Sequence, residues 1–242
     1  LFERTTRKIV LTDAGELVYQ QDLKALGATN ELHTLLDDLM NLPTGSIKIG
    51  IPPLIGTLFF PTIAQTFGRQ HPEVSLELIE LGTKRIEQLI EEGLVDVGIV
   101  VLPADSAKFQ SYPFINENFM LYTSKDHPLA KKEWVKLVEL KDEHFILFNR
   151  DFALHHLIIE QCQNSGFNPI IAYESSQWDL IAELVSAQLG ITLLPKSIYE
   201  KVDKNKIKMV ELQNPPIWNL GIITRKDSYQ SFAVRSLIQF LT

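Results

Sequence analysis

VDVGIVVL, at residues 95–102, is a nearly continuous apolar run that only Asp96 and Gly98 interrupt. Most of its side chains are β-branched, and such residues favour strands. A strand that is apolar without alternation is typical of one buried on both faces of a sheet. The run therefore predicts a central strand, and the patterns on either side of it indicate what packs around that strand.

The residues before this run alternate between strand and helix patterns. Strands are predicted at 47–51 and 74–81, and helices at 58–70 and 84–92. PPLIG at 52–56 is interpreted as a turn, because Pro and Gly favour turns. The order strand, helix, strand, helix, strand predicts a parallel sheet with right-handed crossovers.

A second unit of the same kind follows. Its strands are predicted at 119–122, 145–148, 170–173, 190–195 and 220–224, and its helices at 154–165, 178–188 and 229–241. Two α/β units in tandem predict a cleft between them. Ligands of such sheets lie at the carboxyl ends of strands, against helix N-termini.

The first part of the chain predicts one long helix. Asp13 and Glu16 resemble a capping box, and no proline occurs between them and Pro43. Gly27 weakens the middle of this helix by about 1 kcal/mol. Steps of three and four residues trace a narrow, mostly apolar seam through Leu11, Ala14, Val18, Gln21, Ala25, Ala28, Leu32, Leu35, Leu39 and Leu42. A narrow seam favours pairing with a helix of a second chain, and the alternative is packing on its own domain.

Loops at the predicted strand-to-helix junctions form the candidate binding site. They offer free backbone amides, hydroxyls and one cation, which together suit a small carboxylate. Any one loop alone could serve only to cap its helix. The candidate residues are Pro53, Leu54, Ile55, Gly56, Thr57, Thr83, Asn149, Arg150, Ser176, Gln177 and Trp178.

Composition and motifs argue against several functional classes. A net charge of -7 argues against wholesale binding to nucleic acid or anionic membrane, and no apolar run reaches the length of a membrane span. The single Cys162 excludes an intrachain disulfide, and these features predict a cytoplasmic protein. The acid pairs at 37–38 and 91–92 are interpreted as solvated helix faces.

Catalytic and metal-binding patterns are not found in the sequence. It contains no nucleophile-elbow, zinc-protease, P-loop or dinucleotide-binding motif. Neighbouring side chains on a helix, such as His155 and His156, diverge too far to hold one metal ion. We predict a binding protein with no cofactor and no metal, rather than an enzyme.

LFERTTRKIVLTDAGELVY, at residues 1–19, resembles the wing and the start of the linker helix in LysR-type transcriptional regulators. GSIKIGIPPLIGTLFFP, FGRQHPEVSLELIELGT, GLVDVGIVVLP and SAQLGITLLPKS resemble the effector-binding domain of that family, in the expected order. The resemblance implies an α/β fold of two Rossmann-like subdomains, similar to type 2 periplasmic binding proteins. A linker helix and the wing of a winged helix-turn-helix domain precede them.

The resemblance also implies a division of the chain. The wing is expected at 1–12 and the linker and dimerisation helix at 13–45. Subdomain I is expected at 46–116 and 226–242, and subdomain II at 117–225, with hinges near 116–117 and 224–226. The family's earlier DNA-reading helices are expected to precede residue 1. In the wing, Arg4, Arg7 and Lys8 would contact the DNA backbone or minor groove.

The family resemblance implies that an effector lies between the subdomains, at the candidate residues given above. Many members carry Ser or Thr where this chain has Pro53 and Leu54, so backbone amides, Thr57 and Thr83 are the polar groups that remain. PPLIGTLFFP, IVVLPAD, FNRDFALHH and YESSQWDLIAELVSAQLGI are most similar to the Firmicute branch that controls holin-like operons and acetate overflow metabolism. That similarity implies a small organic acid such as acetate or pyruvate.

The resemblance implies a regulator that binds promoter DNA, responds to a small molecule and forms a homodimer or homotetramer. Two alternatives remain at this point. A solute-binding protein of a transport system predicts an export signal and neither a wing nor a long pairing helix. An α/β enzyme predicts titratable side chains gathered in the cleft.

Overall fold

A computed structural model of the chain describes residues 1–4, 9–39 and 45–242. Its strands are β1 (Phe2–Arg4), β2 (Ile9–Leu11), β3 (Gly45–Ile51), β4 (Val74–Glu80), β5 (Val97–Val101), β6 (Phe109–Ser124), β7 (Trp134–Lys136), β8 (His144–Phe148), β9 (Ile170–Ser175), β10 (Thr192–Pro195), β11 (Ile207–Gln213) and β12 (Ile217–Arg225). Its α-helices are α1 (Asp13–Leu39), α2 (Pro53–Gln70), α3 (Thr83–Glu91), α4 (Ala153–Asn164), α5 (Trp178–Ser186) and α6 (Phe232–Leu241).

The first lobe is built around β5, as its apolar sequence predicts. Its strands lie in the order β4-β3-β5-β12-β6, with β4, β3 and β5 parallel and β12 antiparallel to β5. Ile86 and Ile90 of α3 cover one face of this sheet, while α2 and α6 pack on the other. Val97 and Val100, on opposite faces of β5, are both fully buried.

The second lobe is a separate α/β unit. The last part of β6 pairs antiparallel with β10 and β11, and β11 pairs parallel with β7. The parallel pair β8-β9 joins this sheet through Ile146, whose amide donates to the carbonyl of Ile191 at 2.8 Å. Strands β7 and β11 are not predicted from the sequence, because their short runs contain many Lys, Glu and Gln residues.

Two chain crossings connect the lobes, and one of them lies elsewhere than predicted. Strand β6 runs through both lobes and passes between them near residue 118, close to the predicted 116–117. The return crossing lies between β11 and β12, at 214–216, and not at 224–226. The reason is that β12 pairs with β5, Leu220 lying opposite Val101. Lobe I therefore comprises residues 45–118 and 217–242, and lobe II comprises 119–213.

Helix α1 begins where the sequence predicts, but a different residue caps it. The hydroxyl of Thr12 accepts the amide of Gly15 at 3.1 Å, so Thr12 is the N-cap in place of the predicted Asp13. The linker helix is expected to extend to residue 45; residues 40–44 lie outside the described residues, and Gly45 already belongs to β3.

The long helix docks on lobe I through a face other than the predicted seam. Gly27 is buried against lobe I, whereas Leu32 and Leu39 of the seam are 55% and 76% exposed. Helix α1 therefore packs on its own domain and at the same time leaves the predicted seam exposed. Pairing of that seam with a second chain stays a prediction. No helix within the described ranges is long and apolar enough to cross a membrane.

Candidate functional site

The start of α2 carries the first group of predicted site residues. The helix begins at Pro53, so the turn predicted at 52–56 is wrong. Pro52 is extended at the N-cap, and Pro53 suits the first helical position, where no amide hydrogen is needed. Gly56 donates to the carbonyl of Pro52 at 2.9 Å. The amides of Leu54 and Ile55 come before this first intrahelical bond, so the helix itself supplies them no partner.

The second predicted contact of lobe I is Thr83, the first residue of α3. Gly82 is the N-cap and no side chain caps this helix, so Thr83 does not serve as a cap. Its half-buried hydroxyl is thereby not used in capping. A Cβ added to Gly82 would lie 3.5 Å from the carbonyl oxygen of Asp151 in lobe II. The two lobes thus approach each other closely at this point.

Lobe II brings two of its predicted loops together. The amide of Asn149 donates to the carbonyl of Ser175 at 3.0 Å and joins the ends of β8 and β9. The amide of Gln177 in turn donates to the hydroxyl of Ser175 at 3.0 Å. This turn leaves the side chains of Ser176 and Gln177 exposed and that of Trp178 half-buried. The hydroxyl and amide groups predicted for this wall are therefore accessible.

Arg150 is the cation predicted for the cleft, but it does not lie in a buried site. Its side chain is 80% exposed, and its Nε lies 3.8 Å from a carboxylate oxygen of Glu174. The same Glu174 oxygen lies 3.6 Å from Nδ1 of the buried His155, which is 2.8 Å from the carbonyl of Phe148. Nε2 of His156 lies 2.7 Å from the carbonyl of Arg150. These contacts tie both histidines to the loop at 148–150.

Two groups near α2 are not among the predicted site residues. A carboxylate oxygen of Glu80 would lie 3.4 Å from a Cβ added to Gly56, which places a negative charge beside the N-terminus of α2. Trp218 is fully buried at the return crossing, with its ring centroid 6.0 Å from that of Phe59 in α2. Only the register of β12 shows that Trp218 lies opposite Glu117. No local sequence pattern carries that information.

Cys162 has the surroundings of a structural thiol, not those of a reactive one. Cys162 is fully buried in α4, and burial raises the pKa of its thiol to about 12. A thiol with so high a pKa is a poor nucleophile, since the thiolate is the reactive form. Within the described ranges, no group of three His, Cys, Asp or Glu side chains could hold a metal ion.

The predicted DNA contacts can be located only in part. The backbone of Arg4 pairs with Ile9 in the β1-β2 hairpin, the position expected for a wing. The side chain of Arg4, and the whole of Arg7 and Lys8, lie outside the described residues. Their contact with DNA stays a prediction.

Comparison with known proteins gives consistent results. Residues 41–242 match the family model described as LysR substrate binding domain. An uncharacterized HTH-type transcriptional regulator of Bacillus subtilis, YwbI, is 44% identical over 205 residues, which are 84% of this chain and 68% of YwbI.

Two solved structures are similar over most of their length. A full-length, singly substituted OxyR from Pseudomonas aeruginosa has a TM-score of 0.79 at 24% identity, covering 99% of this chain and 79% of that one. The BenM effector binding domain with its effector benzoate has a TM-score of 0.72 at 25% identity, covering 81% of this chain and 91% of that one.

Proposed function

The chain belongs to the LysR family of transcriptional regulators, and we propose that the cleft between lobes I and II is its effector site. The effector we propose is a small carboxylate. The observation that carries this proposal is the start of α2, where the Leu54 and Ile55 amides have no intrahelical partner and the helix dipole favours an anion. Benzoate, the effector in the similar BenM domain, is such a carboxylate.

The groups on each wall suggest how the carboxylate is held. The two amides of α2 and the hydroxyl of Thr83 would bind it from lobe I, and the Ser176 hydroxyl would bind from lobe II. Side chains would therefore donate fewer hydrogen bonds to the carboxylate than in family members with hydroxyls at the positions of Pro53 and Leu54. Glu80 would oppose the ligand, because like charges at short range repel.

The size of the effector is the next part of the proposal. Gly82 and the carbonyl of Asp151 leave little width between the lobes, which favours a ligand of the size of acetate or pyruvate. The large side chains nearby, those of Leu54 and Ile55, are buried and so unable to move aside. We propose an acid of this class as the effector, with the exposed Arg150 in at most a steering role.

Regulation would follow from a shift between two arrangements of the lobes. A ligand that binds both walls prefers the arrangement in which they are closer, and this preference drives the change. In a homodimer or homotetramer paired through the exposed leucine seam of α1, the change would alter the spacing of DNA-binding domains on promoter DNA. The family match, together with the β1-β2 hairpin and α1, does not favour a solute-binding protein of a transport system.

A thermal-shift screen with acetate, pyruvate and benzoate tests this proposal. A ligand at about 100 times its Kd adds about 2.7 kcal/mol to the free energy of unfolding. We expect Thr83→Ala to weaken the shift and Glu80→Gln to strengthen it, because the first loses a donor and the second a repelling charge. Thr29→Ala, an exposed position on α1, is the control.

The outcomes test the location of the site and the chemical class of the ligand separately. Equal shifts in wild type, Thr83→Ala and Glu80→Gln would show that the carboxylate binds elsewhere. The absence of a shift with all three acids, up to millimolar concentration, would contradict the proposed ligand class.

A further inference from the structure

Helix α1 is attached to lobe I by two of its carboxylates. Glu31 accepts the amide of Tyr229 at 2.9 Å through one oxygen and pairs with Arg225 at 2.5 Å through the other. Asp38, further along the same helix, accepts the hydroxyl of Tyr229 at 2.6 Å and the amide of Phe232 at 2.7 Å. We call these bonds, from Glu31 and Asp38 to residues 225–232, the carboxylate latch.

The latch acts where apolar burial is small. Among the described side chains of α1, Leu23 is the one large apolar group that is buried. Beside Glu31 lies a cavity of about 70 Å³, lined by Gly27, Gly93, Arg225 and Tyr229 among others. Hydrogen bonds to charged acceptors are stronger than neutral ones, so each bond of the latch contributes to the attachment beyond apolar burial.

Backbone contact fixes the position of the helix as well. A Cβ added to Gly27 would lie 2.5 Å from the carbonyl oxygen of Glu92, so only glycine allows this approach. The partner residue Gly93 has a φ of +71°, which also favours glycine. Two glycines and two carboxylates therefore hold α1 at three places along its second half.

We propose that the second half of α1 and lobe I form one rigid body, and that the carboxylate latch holds them together. Movement driven by a ligand is then confined to lobe II, which turns about the crossings near residue 118 and at 214–216. A few residues at element ends are enough to absorb such a rotation. The proposal rests on the proposed function only for what drives the movement, since the latch consists of contacts within the chain itself.

Amide hydrogen exchange of the whole 242-residue chain, without any ligand, tests the latch. The variant Glu31→Ala/Asp38→Ala removes the acceptors, and Ala favours helix, so α1 itself is not weakened. We expect peptides covering 226–232 to exchange about 10-fold faster, because the amides of Tyr229 and Phe232 lose their acceptors. Peptides covering 27–39 should accelerate as well, because this part of α1 is then no longer held on lobe I. Asp22→Ala, an exposed acid on the same helix, should exchange as wild type does.

Tyr229→Phe is a milder second variant, which removes one hydroxyl bond and should give a smaller acceleration in the same two peptides. Wild-type rates in the double variant would overturn the proposal. Acceleration at 226–232 alone would also overturn it, because something other than the latch would then hold α1. Since no ligand is present, failure here leaves the proposed effector untouched, and failure of the thermal-shift screen leaves the latch untouched.

Discussion

Lobe I is joined to α1 and to lobe II by contacts of different kinds. Its joint with α1 consists of directional bonds from Glu31 and Asp38 and a close approach at Gly27. Its joint with lobe II consists of the continuous strand β6, the connection at 214–216 and a hydrogen bond from the amide of Ser197 to the carboxylate of Glu117, beside the buried Trp218. Four hydrogen bonds to Glu31 and Asp38 fix the orientation of α1, whereas the chain crossings between the lobes can change their dihedral angles. This difference is the basis for proposing that lobe II is the part that moves.

The largest expected effect comes from breaking the joint with lobe II. Trp218→Ala should lower the free energy of unfolding by about 3–5 kcal/mol, because the indole is fully buried and leaves a cavity. Trp134→Ala is the matched control and should cost less than about 1 kcal/mol, since Trp134 is 52% exposed. Urea denaturation measures both. Equal losses would show that the crossing is not a packed joint.

A pair of glycine substitutions tests the joint with α1. Helix propensity alone predicts that Gly27→Ala stabilises the chain by about 1 kcal/mol. The contact with Glu92 predicts the opposite sign, because the new methyl group would push α1 away from lobe I. Gly68→Ala in α2 is the control, since no atom lies within 4 Å of its added Cβ. A stabilising Gly27→Ala would contradict the close approach.

The smallest effect is expected at Asp96, which lines the cavity beside the α1 joint. Desolvation by its neighbours raises the pKa of this carboxyl, although the residue is still exposed to solvent and the bond from the Lys48 amide at 2.8 Å opposes the shift, so the effect on stability is small. The folded state therefore binds more protons than the unfolded state just above the usual pKa, and stability falls there as pH rises.

Asp96→Asn removes that titration and keeps an oxygen for the Lys48 amide. We expect the variant at pH 7 to be slightly more stable than wild type, by less than the change at Gly27, with a flatter stability profile between about pH 4 and 7. Urea denaturation across that pH range is the measurement. A variant less stable than wild type at pH 7 would show that the charge at Asp96 is favourable in the fold.

Local sequence patterns predicted much of the fold. The apolar run of β5, the period of α3 and the start of α1 depend on neighbouring residues, and all are found in the structure. The start of α2 was misread because two prolines and a glycine favour a turn as well as a helix start. The place of β12 was misread because it is set by pairing with β5, more than a hundred residues earlier in the chain.

The candidate site and the α1 joint were less predictable for the same reason. Composition gives Arg150 a charge, but only the folded chain shows it exposed beside Glu174. Asp38 was interpreted as part of a solvated face, yet it accepts two hydrogen bonds from α6 and the loop before it. Those partners follow Asp38 by more than 190 residues, so no local pattern could reveal them.

Distances between spin labels test the central claim most directly. Labels at the exposed Thr29, Gln70 and Lys201 report on α1, lobe I and lobe II, in chains diluted with unlabelled protein. With the carboxylate that gives the largest thermal shift at saturation, we predict a changed distance from Gln70 to Lys201 and an unchanged distance from Thr29 to Gln70. A changed distance from Thr29 to Gln70, or no change in either distance, would contradict the account.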